Sequence, residues 1–207
     1  MQIYNIVLAA LYSTAIASGG LIVGLLFALV FYTLSISQRL RPFTNTVALA
    51  LKCTPAFIFP FLVGSYMGIG DSIKILVSAL ICFFTIYAAL SESEKRVPVS
   101  LRLLAASLGA STYQTWRRVK LPWLTIGALE GLKAAAPLAV VGAIVAEFVS
   151  PSQSEKFGLG LLFSNNRNAI DDLLILILVA TFLGLMLFVS MNLLLKTIES
   201  RLRIGWK

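Results

Sequence analysis

The chain has 207 residues, of which 58% are apolar and only 13% are charged, and its mean hydropathy is +0.91. A soluble domain carries about a quarter charged residues, so this composition excludes an ordinary soluble protein and indicates a membrane protein. The net charge is +8 with no histidine, but the basic residues cluster in loops beside apolar runs, which argues against nucleic-acid binding and for membrane retention and lipid headgroup contact.

Five apolar stretches are long enough to cross a membrane, since a spanning helix needs about 20 largely apolar residues. Each stretch is continuously apolar instead of alternating, which favours helices over a barrel. We therefore predict an all-α polytopic membrane protein whose residues 1–207 form a single transmembrane domain. The predicted spans are 6–35, 46–67, 73–90, 124–149 and 173–195.

The first stretch begins with MQIYNIVLAALYS, which lacks a basic segment and a small-residue cleavage site. It is therefore expected to be a membrane span and not a cleaved signal. Gly20 and Gly24 within it form a GxxxG pair, which lets another helix approach closely. Packing within the subunit is favoured over a dedicated dimer contact.

The second stretch contains Pro55 and Pro60, which remove backbone donors and predict a bent or broken helix inside the membrane. The bend either serves packing alone or borders a substrate path, in which case Tyr66 is a further pathway residue. Lys52 is expected near the cytoplasmic end of this span, where its side chain reaches the interface.

Charged and thiol side chains inside the other spans are few. Glu130 and Lys133 are spaced i, i+3 and are predicted to pair on one helix face, either as an interfacial pair or as part of a gate. Glu147 lies near the outer end of its span and either lines an outer vestibule, contacts a partner protein there or is simply exposed. Cys53 and Cys82 fall in apolar runs and are predicted to be small buried residues.

The distribution of Lys and Arg predicts the orientation of the chain. The loop after the first span, the central loop 91–122 and the C-terminal tail contain two, six and four of these residues, whereas the opposite side has three. The positive-inside rule then places the N-terminus outside and the C-terminus and central loop in the cytoplasm. The external segment 151–172 contains the apolar FGLGLLF and is expected to form an interfacial helix, a lid or a plain cap.

The central loop is patterned and predicts two short helices. Pro98 marks the start of the first helix, and Gly109 reads as the glycine that ends it. Ser111 and Gln114 fit a capping box that opens a second helix, and Pro122 is expected to close that helix. The loop is therefore predicted to be helix, tight glycine turn, helix.

The first of these helices has an apolar face, formed by residues 101, 104, 105 and 108. Such a face either fills a groove on another protein or rests on the lipid headgroups. The pattern alone leaves both alternatives open.

The segment LLAASLGASTYQTWRRVKLP, residues 103–122, resembles the EAA loop of the permease subunits of bacterial ABC importers. Its spacing places Gly109, Leu121 and Pro122 on the motif glycine, leucine and proline, and Ala105 on the second motif alanine. Leu103 stands where the motif has glutamate.

The segment SLGASTYQTWRRVKLP more closely resembles the sulfonate, taurine and nitrate branch of these permeases. Three further stretches resemble the same branch: ALKCTPAFIFPFLVGSYMGIG, LEGLKAAAPLAVVGAIVAEF and FGLGLLF. The likeness covers roughly residues 13–195. Because members usually carry an additional N-terminal span, the chain is expected to represent a five-span core.

The resemblance implies a multi-pass subunit of the bacterial inner membrane that works by alternating access. Its implied partners are a second permease copy in a homodimer, a cytoplasmic ATP-binding subunit and an extracytoplasmic solute-binding protein. The chain has no GxxxxGK[ST] loop, so it is expected to be no enzyme and to bind no cofactor, with ATP hydrolysed on the partner. The implied ATPase-contact residues are Arg102, Ala105, Ala106, Gly109, Ala110, Ser111, Leu121 and Pro122, with Arg117 as a flanking charge.

Two alternatives remain beside a sulfonate-like cargo. One is the same transporter class with a pyrimidine vitamin precursor or an amino acid as cargo, and the other is a passive channel, which would need no coupling loop. An intramembrane enzyme is disfavoured because the sequence has no histidine, no HExxH and no GxSxG.

Overall fold

A computed structural model describes residues 3–68, 70–149 and 158–204. For residues 3, 67 and 201–204 it describes the backbone but not the side chain. Within these ranges the secondary structure is helical and contains no strand, which confirms the predicted all-α class. The α-helices are α1 Ile3–Ser35, α2 Arg41–Cys53, α3 Ile58–Met67, α4 Asp71–Lys95, α5 Val99–Ser107, α6 Thr112–Thr115, α7 Leu121–Val149, α8 Leu159–Asn165 and α9 Ile170–Ile204, and a π-helical segment covers Trp116–Lys120.

The described helices provide four spans, or five when a bent pair is included. The segments Tyr4–Ser35, Asp71–Lys95, Thr112–Val149 and Ile170–Ser200 are each long and apolar enough to cross a membrane, and α2 with α3 forms a fifth span bent by 111°. This agrees with the prediction of about five spans. Several helices extend beyond the predicted spans, because hydropathy marks the part that crosses lipid and not the helix ends.

The centre of the molecule is α4, which lies between α1 and α7. Gly20 and Gly24 of α1 face this helix: a Cβ atom on Gly20 would lie 2.2 Å from Ser78 Oγ, and one on Gly24 would lie 3.1 Å from the Ala79 carbonyl oxygen. The GxxxG pair therefore serves packing within the subunit, as predicted. The largest fully buried apolar side chains of the central cluster are Phe83, Ile86 and Leu90.

The broken span connects opposite ends of this core. Lys74, near the start of α4, donates to the Tyr12 hydroxyl, near the start of α1, at 2.9 Å. Tyr32, near the end of α1, lies beside Glu94, near the end of α4, so the two helices are parallel. Since α2 follows the end of α1 and α3 precedes the start of α4, the pair must cross from one end to the other. The bend is therefore a broken span and not a re-entrant loop.

The two cysteines have different surroundings. Cys82 is buried in the core, as predicted, but Cys53 is exposed. The prediction was wrong for Cys53 because this residue ends α2 at the break and lines an open cavity there.

Candidate functional site

The turn after α5 is built around Gly109, which adopts a φ of +69°. Glycine takes this left-handed conformation without the steric cost that a side chain adds. The Gly109 amide donates to the Ala106 carbonyl at 3.0 Å, and the Ala110 amide donates to the Ala105 carbonyl at 3.0 Å. These two bonds form a Schellman motif, so the predicted helix-ending glycine is confirmed.

The helix after this turn begins with a capping box. The Gln114 amide donates to Ser111 Oγ at 3.2 Å, and the Ser111 amide donates to Gln114 Oε1 at 2.9 Å. The backbone amides of Ser111 and Gln114, which have no partner within the helix, are thereby hydrogen-bonded, which confirms the predicted cap.

The prediction that Pro122 ends this second helix was wrong. Helical structure runs continuously from Thr112 to Val149 over 38 residues. The π-helical segment before Leu121 explains the difference, because the Leu121 amide bonds five residues back to the Trp116 carbonyl. The wider turn makes room for the proline ring, which in a regular helix would meet the carbonyl of Arg118.

None of the residues of helix α5 is buried. Its predicted apolar face is exposed at Leu104 and at Leu108, which has 76% of its surface exposed, while Leu101 and Ala105 are partly buried. Of the predicted ATPase-contact residues, the exposed ones are Ala106, Gly109, Ser111 and Leu121, and the partly buried ones are Arg102, Ala105, Ala110 and Pro122.

Glu94 anchors this exposed segment to the membrane core. Arg102 of α5 donates through Nη2 to the Glu94 backbone carbonyl at 3.0 Å, and Lys120 Nζ lies 3.2 Å from Glu94 Oε1. Arg102 is therefore folded back onto the end of α4, while Arg117, the other predicted flanking charge, is exposed. Sequence reasoning missed Glu94, although an acidic residue within a basic loop is a signal for such a partner.

The predicted ion pair between Glu130 and Lys133 is replaced by two other contacts. Glu130 Oε2 lies 3.2 Å from Nη1 of Arg96, and Lys133 Nζ lies 5.1 Å from the centroid of the Phe188 ring. The spacing i, i+3 allows a pair on one helix but does not decide it, because neighbouring helices supply competing partners.

The break between α2 and α3 lies at Pro55, as the prolines predicted. The end of α2 is capped by Thr54, whose amide reaches the Ala50 and Leu51 carbonyls at 3.1 and 3.3 Å and whose hydroxyl donates to Ala50 at 2.9 Å. Pro60 does not contribute to the break. It occupies the first turn of α3, where a missing amide hydrogen costs nothing.

A cavity of about 580 Å³ opens at this break, between α2, α4 and α7. Of the predicted pathway residues it is lined by Pro55 but not by Pro60, Tyr66 or Glu147. Tyr66 lies instead on α3 with 88% of its surface exposed. The cavity lining also contains Lys52.

Glu147 has only 2% of its surface exposed, so the alternative that it is simply exposed was wrong. Ser13 Oγ lies 2.8 Å from each Glu147 carboxylate oxygen, and the Gly160 amide donates to Oε2 at 2.9 Å. The Leu159 amide donates in turn to Ser13 Oγ at 3.0 Å. This network fixes α8 over the outer ends of α1 and α7, which supports the capping role predicted for FGLGLLF, although residues 150–157 lie outside the described ranges.

Glu147→Ala is expected to lower the free energy of unfolding by about 1–3 kcal/mol, because it leaves the buried Ser13 hydroxyl and Gly160 amide without their acceptor. Thermal unfolding of the purified chain in detergent measures this effect. Glu92→Ala is the matched control, since Glu92 pairs with Lys95 on the exposed surface and its loss should cost under about 0.5 kcal/mol. Equal stability of the two variants would contradict the role of the network.

Among the described residues, no three His, Cys, Asp or Glu side chains come together as metal ligands. These residues instead form an exposed helical segment at one end of the helix bundle, a cavity at the break between α2 and α3, and a cap at the other end.

Residues 20–204 match the family model described as binding-protein-dependent transport system inner membrane component. The chain is 28% identical over 177 residues to a probable ABC transporter permease protein of Haemophilus influenzae, covering 85% of this chain and 71% of the relative. It is 30% identical over 174 residues to the riboflavin transport system permease protein RibX of Chloroflexus aurantiacus, covering 83% of this chain but only 60% of that relative.

Two solved structures share the fold. An amino acid ABC transporter with histidines superposes with a TM-score of 0.74 at 13% identity, covering 93% of each chain. The MetNI methionine ABC transporter in an inward-facing conformation superposes with a TM-score of 0.76 at 14% identity, covering 96% of this chain and 99% of that one.

Proposed function

The chain belongs to the family of binding-protein-dependent transport system inner membrane components, and on that premise we propose that it forms the membrane pathway through which a separate ATPase drives import of a small solute. It is an ABC importer permease subunit. The observation that carries the mechanism is the segment from Val99 to Lys120, which is exposed, regularly folded and anchored to the spans through Glu94.

The exposed segment fits the surface of a second protein better than it fits lipid headgroups. Its tip is a closed glycine turn followed at once by a capped helix start, and a cleft of about 500 Å³ lies beside that start, lined by Ser111, Tyr113, Gln114, Arg117 and Arg118. A regularly folded tip of this kind, with the apolar Leu108 beside polar and basic side chains, is suited to a groove on a cytoplasmic ATP-binding subunit, where ATP would be bound and hydrolysed.

Movement of that subunit reaches the membrane by two routes. In the first route, movement of the exposed segment displaces α4, because Arg102 and Lys120 are bound to Glu94 at its end. In the second route, the same movement displaces the core directly through the continuous helix Thr112–Val149. Alternating access follows when α4 and α7 shift relative to the broken span, which changes the access to its cavity.

The remaining partners follow from the same proposal. A second copy of the chain completes the pore as a homodimer, an extracytoplasmic solute-binding protein delivers the solute to the outer face, and the complex resides in a bacterial inner membrane. Membership of a binding-protein-dependent family supports the delivery step.

The cargo is a small organic or inorganic solute of the sulfonate, taurine or nitrate type, which the sequence resemblance of residues 13–195 to that branch supports. A vitamin-like or amino-acid cargo is the second candidate. It is favoured by a 30% identical relative that is named for riboflavin transport.

Replacing Leu108 with serine is expected to reduce co-purification of the ATP-binding subunit by at least about fivefold, because the change removes the exposed apolar side chain that caps the end of α5 beside the Gly109 turn. The experiment co-expresses the tagged chain with a candidate ATP-binding subunit from the same organism and measures the ratio of the two proteins after purification.

Val99→Ser is the matched control. Val99 has 67% of its surface exposed on the same helix, but it lies on the side opposite Leu108, so its variant should keep the normal ratio. Full recovery of the ATPase with Leu108→Ser would overturn the assignment of this face, and absence of the ATPase with the unmodified chain would overturn the proposed function.

A further inference from the structure

Lys52 lies about halfway across the membrane and not near its cytoplasmic edge. Its Nζ atom lies 4.7 Å from the centroid of the Phe84 ring. Phe84 is 11 residues from Lys95 and 13 from Asp71, the two ends of α4. At about 1.5 Å per residue these separations are about 17 and about 20 Å, so the ammonium group lies too deep for its side chain to reach an interface.

Contacts within the subunit do not account for this charge. Among the described residues Lys52 forms no ion pair, and its one described contact is the Phe84 ring. A lysine near a helix end can also satisfy the last carbonyl groups, but those of Ala50 and Leu51 are already bonded by Thr54. An exposed ammonium group facing lipid at this depth is costly, so Lys52 must face water, a partner or a ligand.

The surroundings of Lys52 are suited to an anion. Lys52 lines the cavity of about 580 Å³ together with Thr54, Thr85 and apolar side chains, and the lining contains no Asp or Glu. Phe59, the second residue of α3, also lines this cavity, and the start of a helix carries partial positive charge. A half-helix that begins inside the membrane is a common place for an anionic substrate group.

We propose that Lys52 and the break between α2 and α3 form a transient binding site for the anionic group of the transported solute, such as a carboxylate, sulfonate, phosphate or nitrate. The site rests on the proposed transport function. It makes the cavity a point of selection by charge: an anion gains the Lys52 interaction as it passes, and a cation of the same size is repelled.

The native Cys53 allows a direct test, because it lines the same cavity beside Lys52 whereas Cys82 is buried. The full chain in lipid vesicles is treated with two thiol reagents of similar size, sulfonatoethyl methanethiosulfonate, which is anionic, and trimethylammonioethyl methanethiosulfonate, which is cationic. Each rate is divided by the rate of the same reagent with a free thiol in water, and Cys53→Ala supplies the background.

The normalised rates should favour the anionic reagent, and Lys52→Gln should lower the ratio of anionic to cationic rates by at least about tenfold, because one charge a few ångströms away acts on both reagents in opposite directions. Lys52→Arg should keep the ratio. Lys133→Gln is the matched control, since Lys133 also lies in a span over an aromatic ring but does not line this cavity, and its ratio should stay within about twofold.

An unchanged ratio in Lys52→Gln, or no labelling of Cys53 by either reagent, overturns the anion site. The labelling needs neither ATP nor partners, so it is independent of transport. Charge selection at Cys53 without ATP-driven uptake in the complete system would contradict the proposed function and leave the anion-binding cavity standing. ATP-driven uptake without charge selection at Cys53 would overturn the anion site and leave the proposed transport function standing.

Discussion

Gly109→Val is expected to reduce ATP-driven solute uptake by at least about tenfold while the protein still inserts into the membrane. Gly109 has a φ of +69°, which costs a β-branched residue roughly 1–2 kcal/mol or more. The variant therefore opens the Schellman turn between α5 and α6 and changes the shape of the tip proposed to meet the ATPase. Uptake by vesicles containing the complete transporter measures the effect.

The structure separates this effect from misfolding. A Cβ atom on Gly109 would meet nothing within 4 Å, so the change strains the turn without disturbing the core. Gly109→Asn is the matched control, because asparagine tolerates the left-handed conformation and should retain most of the uptake. Normal uptake by Gly109→Val, with the ATPase bound in full amount, would contradict the role of the turn.

Gly142→Leu is expected to prevent stable folding of the purified chain, with a loss of at least about 3 kcal/mol in the free energy of unfolding. A Cβ atom on Gly142 of α7 would lie 2.8 Å from the Cα atom of Ser78 on α4. This contact is with backbone, so no side-chain rotation relieves it, and the two central helices must separate. Thermal unfolding in detergent and the yield of monodisperse protein both report the loss.

Gly64→Leu provides the comparison at another helical glycine. A Cβ atom on Gly64 would have nothing within 4 Å, so this variant should be as stable as the unmodified chain, or more stable because leucine has the higher helix propensity. If both variants lost stability equally, the close packing of α4 and α7 would not be the reason.

Features that depend on short stretches of chain could be predicted from the sequence. The Gly109 turn and the Ser111 cap involve residues within five positions of one another, so residue type and spacing determine them. The number of spans follows from the thickness of the bilayer, which acts on each apolar run separately. The break at Pro55 belongs to this class as well, since a missing backbone donor acts locally.

Features that depend on distant residues could not be predicted. Glu130 pairs with Arg96, 34 positions away, and only the packed structure brings the two together. Pro122 allows the helix to continue because the preceding turn widens, which no propensity indicates. A signal for the partners of Glu147 was nevertheless present: a carboxylate at the end of an apolar run requires hydrogen-bond donors, and the glycine-rich FGLG follows it.

The continuous helical segment from Thr112 to Val149 would act as a lever in the proposed transport cycle. Its 38 residues extend about 57 Å, which is longer than the bilayer is thick. One end begins at the capped tip outside the lipid, and the other carries Glu147, which holds α8 through the Gly160 amide. In the proposed transport cycle, a push on the tip would reach the far face of the membrane along this helix, which can flex at the π-helical segment and at Pro137.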